Sequence, residues 1–173
     1  MAEKDPSPLN DVDINAVAGL AGKIQESPEI AATKWNALVT WKGGFRSEAK
    51  IRDFPAIISD EPSALGGTDN GPNPVEQILA AYGNCLAVGY AANATIAGIE
   101  IKDLSIELEG DLDLHTFLGL NPGHAGYDKI TVKVNIDSNG SDEDIKALHE
   151  KVSNTSPVGH TLGSAIPLNF EWN

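Results

Sequence analysis

Apolar residues follow two different periods along the 173-residue chain. From Ile14 they recur at Val17, Ala18, Ala21 and Ile24, a stripe down one face of a helix. Asn10 or Asp11 is placed to cap that helix and Glu26-Ser27-Pro28 to end it. The pattern predicts a flexible tail over 1–10 and an N-terminal helix over 11–27. The stretch "ATKWNALVTWKGGFRSEAKIRDF" then reads as two strands around a Gly43-Gly44 turn, and "PAIIS" as a short third strand. A loop dense in Gly, Pro, Asp and Asn leads to a long, nearly uncharged helix. It opens at Pro74 behind Asn73 as its natural cap.

Beyond Gly98 the period changes to two. Leu104, Ile106, Leu108, Leu112 and Leu114 fall on one side; Ser105, Glu107, Glu109, Asp111 and Asp113 fall on the other. Gly110 within this run is a candidate bulge. "FLGLNPGHAGYD" reads as a loop, and Ile130, Val132, Val134 and Ile136 mark the next strand. Ser141 caps a further helix whose first turn is acidic, as the helix dipole favours. "SPVGHTLGSA" predicts a short second helix and "IPLNFEW" a closing strand.

Strands in hairpin-like groups, rather than βαβ units, place this single domain of residues 1–173 in the α+β class with mainly antiparallel sheet. The long helix has so little polar surface that most of its circumference must be covered. One sheet of this size covers one side, so a second subunit is expected on the other.

Charge narrows the partners. Acids outnumber bases 25 to 12, giving a net charge of −13. Such a surface repels phosphate backbones and anionic lipid, so neither nucleic acid nor membrane is expected as a partner. The first residues lack the basic-then-apolar pattern of a secretory signal. The longest apolar stretch is interrupted by Glu76, Gln77, Asn84 and Asn93, which argues against a membrane span. With one cysteine there is no intrachain disulfide, and the expected location is cytoplasmic.

That cysteine, Cys85, lies mid-helix among mostly small neighbours on its face: Ile78, Ala81, Tyr82, Val88, Gly89 and Ala92. Small neighbours suit close packing or room for a ligand, and the pattern alone leaves both open. Nothing on the helix itself would activate the thiol. Glu76 lies nine residues earlier, about 900° of helical rotation, hence on the opposite face; it suits the helix N-terminus better. His115, His124, His149 and His160 have no metal-site spacing, and neither metal nor cofactor is expected. His149, on a charged helix, reads as solvated. His160 follows Ser156 by four residues and shares its helical face, but no G-x-S-x-G elbow supports a hydrolase. "GGTDNGPNP" lacks the lysine of a phosphate-binding loop and reads as a connector.

The stretch "ALGGTDNGPNPVEQILAAYGNCLAVGYAANATIAGIEI", followed by "GDLDL", "FLGL" and "SPVGHTL", resembles the OsmC/Ohr family of osmotically inducible and organic-hydroperoxide-resistance proteins, over Trp35 to the C-terminus. The resemblance implies an intertwined homodimer with two long central helices wrapped by sheets. It also implies a thiol peroxidase: a peroxidatic thiolate attacks the O–O bond and becomes a sulfenic acid, a second cysteine resolves it, and an arginine and a glutamate activate the thiol. Cys85 matches the peroxidatic position. Ser156 stands where the family's "CPV" motif carries the resolving cysteine, placing the chain in a subgroup with SPV. Val75 stands at the glutamate position, and Arg46 of "GGFR" is one residue from the usual arginine.

The implied function is therefore an oxidative-stress protein, a one-cysteine peroxidase acting on organic hydroperoxides or H2O2. Cys85 reacts, Arg46 is its partner, His160, Ser156 and Glu76 support it, and an external thiol regenerates it. The alternative is a non-catalytic protein that binds a hydrophobic small molecule in a dimer-interface pocket lined by Val75, Ile78 and Tyr82.

Overall fold

The computed structural model describes residues 8–171. Its order is α1 (Ile14–Glu26), β1 (Leu38–Trp41), β2 (Ser47–Lys50), β3 (Ile57–Ser59), α2 (Pro74–Ala97), β4 (Ile101–Leu112), α3 (Leu114–Phe117), β5 (Tyr127–Ser138), α4 (Asp142–Thr155) and α5 (Pro157–Leu162). Both sheets are antiparallel, and the α+β class holds. The chain forms two compact units. One is Val17–Ala80; the other is Ala81–Asn173 with Met1–Ala16.

In the unit of residues 17–80, β1, β2 and β3 form a meander, with Val39 opposite Ala49 and Glu48 opposite Ile58. The β1–β2 turn uses Gly43 and Gly44 at φ +98° and +60°, a region that side chains disfavour. After β3 the chain is organised by a buried carboxylate. Asp60 is 1% exposed and accepts hydrogen bonds from the Glu61 and Thr68 amides, the Asn70 amide and the Thr68 hydroxyl, the last at 2.6 Å. The Thr68 hydroxyl and these backbone donors outweigh the opposing effect of burial and hold its pKa at about 2. A Cβ on Gly67 would collide with the Glu61 carbonyl, so only glycine fits this turn. The loop delivers the chain to α2 through a reciprocal cap. Asn73 Oδ1 accepts from the Glu76 amide at 2.9 Å, and Glu76 Oε2 accepts from the Asn73 amide at 2.8 Å.

In the unit of residues 81–173 and 1–16, β4 and β5 pair with Leu104 opposite Ile136, Ile106 opposite Val134 and Leu108 opposite Val132. The period-2 pattern thus gives one apolar face, which packs on a core of Leu86, Tyr90 and Ala94 from α2, Ile99, and Leu148 and Val152 from α4. Burying each such Leu or Val side chain stabilises the fold by about 1.5–3 kcal/mol. Helices α2 and α4 pack tightly at Gly89, where an added Cβ would lie 2.9 Å from Val152 Cγ1. Helix α4 starts with a capping box between Ser141 and Asp144, and the Ser141 hydroxyl lowers the Asp144 pKa.

Five expectations change in detail. Residues 1–7 of the expected tail lie outside the described residues, while residues 8–10 are held in place. Asn10 donates to the Ile99 carbonyl at 2.9 Å and accepts from the Ile101 amide at 2.8 Å. Being so engaged, Asn10 does not cap α1; Asp13 does, accepting from the Ala16 amide at 3.0 Å. Leu114 leaves the strand because Asp113 caps α3 there, accepting from the His115 amide. The register shifts of β4 fall between Ile101 and Asp103 and between Asp111 and Leu112 rather than at Gly110, where a Cβ would lie 2.6 Å from the Tyr127 ring. The expected closing strand is not formed over the described part, residues 166–171.

Candidate functional site

Chain direction changes abruptly at Ser156. It ends α4 and caps α5 in an extended conformation, with Pro157 opening the new helix. Its hydroxyl oxygen accepts from the Gly159 amide at 3.0 Å. The same oxygen lies 3.2 Å from Cys85 Sγ, although 71 residues separate the two. Because the oxygen accepts from Gly159, its own proton is free to point at sulfur when the sulfur is a thiolate. Gly159 must be small: a Cβ would lie 3.1 Å from the Tyr82 ring and 3.2 Å from Ser156.

Cys85 is half-buried and Ser156 is buried. They open on a cleft of about 380 Å³ walled chiefly by Val88, Gly89, Val152, Thr155 and Pro157. The walls are mostly apolar, so the cleft admits a hydrocarbon group beside the sulfur.

The other expected site residues have the following surroundings. His160 donates from Nε2 to the Asn154 carbonyl at 2.9 Å. Glu76 completes the α2 cap. Arg46 is half-buried and donates to Thr68 Oγ1 at 3.4 Å, the hydroxyl that also serves Asp60. Among the pocket residues, Val75 is half-buried and Ile78 exposed, while Tyr82 lines a different cleft from that of Cys85. No group of three or more His, Cys, Asp or Glu residues is arranged to hold a metal among the described residues.

The pairing of Tyr90 with His149 was not legible in the sequence. His149 is not freely solvated: its Nδ1 lies 2.7 Å from the Tyr90 hydroxyl, with the rings edge to face at 5.5 Å. Burial, and secondarily Tyr82, raise the Tyr90 pKa and keep the phenol protonated. Only the four-residue spacing of Tyr82, Leu86 and Tyr90 along α2 hinted at a shared face.

Known proteins share this arrangement of elements. The family model for OsmC-like protein matches residues 67–171. The chain is 25% identical over 137 residues to the uncharacterized protein YmaD of Bacillus subtilis (strain 168), covering 76% of this chain and 87% of that one. An OsmC-like protein from Mycoplasma pneumoniae superposes with TM-score 0.66 at 23% identity, over 76% of this chain and 88% of that chain. An organic hydroperoxide resistance protein OsmC and predicted redox protein from Legionella pneumophila superposes with TM-score 0.56 at 20% identity, over 76% and 91%. No described helix is long and apolar enough to cross a membrane.

Proposed function

This chain belongs to the OsmC-like family, and from that premise we propose that it is a one-cysteine thiol peroxidase of organic hydroperoxides or H2O2. The observation that carries the reading is the Cys85 sulfur in an apolar-walled cleft with the Ser156 hydroxyl 3.2 Å away. In the proposed reaction the thiolate attacks the outer peroxide oxygen and the O–O bond breaks. The thiol becomes a sulfenic acid, and the leaving alkoxide takes a proton to become the alcohol. Ser156 donates its proton in a hydrogen bond to the thiolate but cannot resolve the product. An external dithiol therefore attacks the sulfenic acid, releases water, and restores Cys85 as it closes to its own disulfide. The cytoplasm is the proposed setting, since reducing thiols are available there. Arg46 is the proposed cation that favours the thiolate.

We propose that the working unit is a homodimer. Val88 and Ile96 on α2 are 70% and 64% exposed, and Trp41 on β1 is 73% exposed, apolar surface that a second copy would cover. A mass near the 18.2 kDa of one chain in micromolar solution would overturn this proposal.

The decisive experiment mixes the protein with cumene hydroperoxide and a dithiol, with Cys85→Ser alongside. Wild type is expected to consume peroxide and to gain one oxygen atom by intact mass when the dithiol is omitted. Arg46→Gln is expected to slow peroxide consumption. If wild type behaves like Cys85→Ser, the peroxidase reading fails. Cys85 is then a lining residue, and the protein binds an apolar molecule without turning it over.

A further inference from the structure

The Gly89–Val152 contact closes the space between α2 and α4 and leaves a cleft on each side of the crossing. One holds Cys85. We propose that the other, beneath Tyr90 and His149, is a second small-molecule site. Its ligand class is a compact uncharged molecule that joins an apolar body to a single hydrogen-bond acceptor.

This second cleft measures about 400 Å³ and is walled by Tyr82, Leu86, Val132 and Val134, with Tyr90 and His149 as its polar groups. That volume and that ratio of apolar wall to polar group are typical of ligand sites. The polar pair fixes what the site asks of a ligand. Tyr90 is 4% exposed, and His149 Nδ1 is the hydrogen-bond partner of its hydroxyl among the described residues. We assign the phenol as donor to Nδ1, since its proton has no other acceptor there, and this assignment puts the imidazole proton on Nε2. Nε2 has no protein acceptor among the described residues and is not sealed in the interior. It is the donor that this pair leaves for a ligand.

Charge sets the other limit. Glu150 lies on the rim, and the chain carries a net charge of −13, so an anion is disfavoured. On its other flank His149 borders a polar cleft that includes Asp137, Asp142 and Lys146. The imidazole thus stands between an apolar compartment and a charged one, and the apolar body of the ligand lies on the Val134 side. This proposal depends on neither the thiol nor its oxidation.

Acetophenone, which combines a ring with one carbonyl, tests it by NMR titration of the full-length protein. Ethylbenzene is the partner without an acceptor, and benzoate is the anion. Acetophenone is expected to shift the Val134 methyl and His149 Nε2 resonances saturably, and benzoate to leave them unmoved. Losing one hydrogen bond should weaken binding roughly three- to tenfold, for ethylbenzene against wild type and for acetophenone against His149→Phe. Ser153→Trp, at the exposed rim, should block the cleft. The comparison of two ligands on wild type needs no variant to fold. The proposal is overturned if acetophenone gives no saturable shift at Val134, or shifts Asp137 and Lys146 instead. Equal binding of ethylbenzene or benzoate overturns it as well.

Discussion

The two units of this chain are held by opposite kinds of interaction. Residues 81–171 contain six buried apolar side chains, from Leu86 to Val152. Among residues 17–80 the buried side chains are Ser59 and Asp60, both polar, while Trp35, Leu38, Trp41 and Phe54 are all more than half exposed. One unit is built by removing hydrocarbon from water; the other is shaped by hydrogen bonds around a carboxylate and by glycine-bearing turns. The difference teaches where the fold is self-sufficient. The β4–β5–α2–α4 unit buries its own core and can hold a site rigidly. The β1–β2–β3 unit has its form fixed but its apolar surface uncovered, which makes it the natural place to look for a partner.

The contrast can be broken most strongly in the apolar core. Leu148→Ala should cost about 2–5 kcal/mol of unfolding free energy, measured by urea denaturation followed by circular dichroism. Gly89→Ala comes next. The 2.9 Å approach to Val152 Cγ1 should outweigh the helix propensity of alanine, for a net loss of about 1–2 kcal/mol. The added change Val152→Ala should cost less in the Gly89→Ala background than alone, because it relieves the clash; equal costs in both backgrounds would show that the two residues do not meet. Acid sharpens the contrast from the other side. The folded pKa of Asp60, about 2, lies below its ordinary 3.8. Its contribution is therefore complete above about pH 4 and is lost as the pH falls through about 2. Amide exchange near Thr68 and Asn70 should accelerate over that window before exchange at Leu148 does. Smallest is Trp41→Ser, which should change chain stability by no more than about 0.5 kcal/mol. It should nevertheless weaken self-association in sedimentation measurements.

A Ser156→Cys variant sharpens the comparison at the site itself. With 3.2 Å between the present sulfur and oxygen, a disulfide to Cys85 should form under mild oxidation, visible as the loss of both free thiols. Persistence of two free thiols would show that the cleft holds these positions apart.

What was legible in the sequence was local. Asn73, Ser141 and Ser156 announced helix starts because a short side-chain oxygen satisfies the first free amides of a helix. The alternation of Leu104 to Leu112 against Ile130 to Ile136 announced one buried face. The family resemblance singled out Cys85 and Ser156, residues 71 positions apart whose side chains the fold brings to 3.2 Å. What was hidden depends on distant partners. His149 looked solvated because its charged helical neighbours are near in sequence, while its partner Tyr90 is 59 positions away. Asp60 carried no local signal, since its donors lie across a loop. The strand expected from Ile166 onward is not formed over 166–171: alternation suggests a strand, but strand pairing is set by distant residues.

The Asn10 clip has a consequence for the sheet. Its side-chain amide accepts from the Ile101 amide and donates to the Ile99 carbonyl, imitating one peptide group of an adjoining strand. The Ile101 amide opens β4 and the Ile99 carbonyl lies just before it, and both are already taken. Any further strand that adds to β4 must begin its ladder beyond Ile101. A single asparagine thereby acts as an end-stop, limiting both the length and the register of further β pairing at that end.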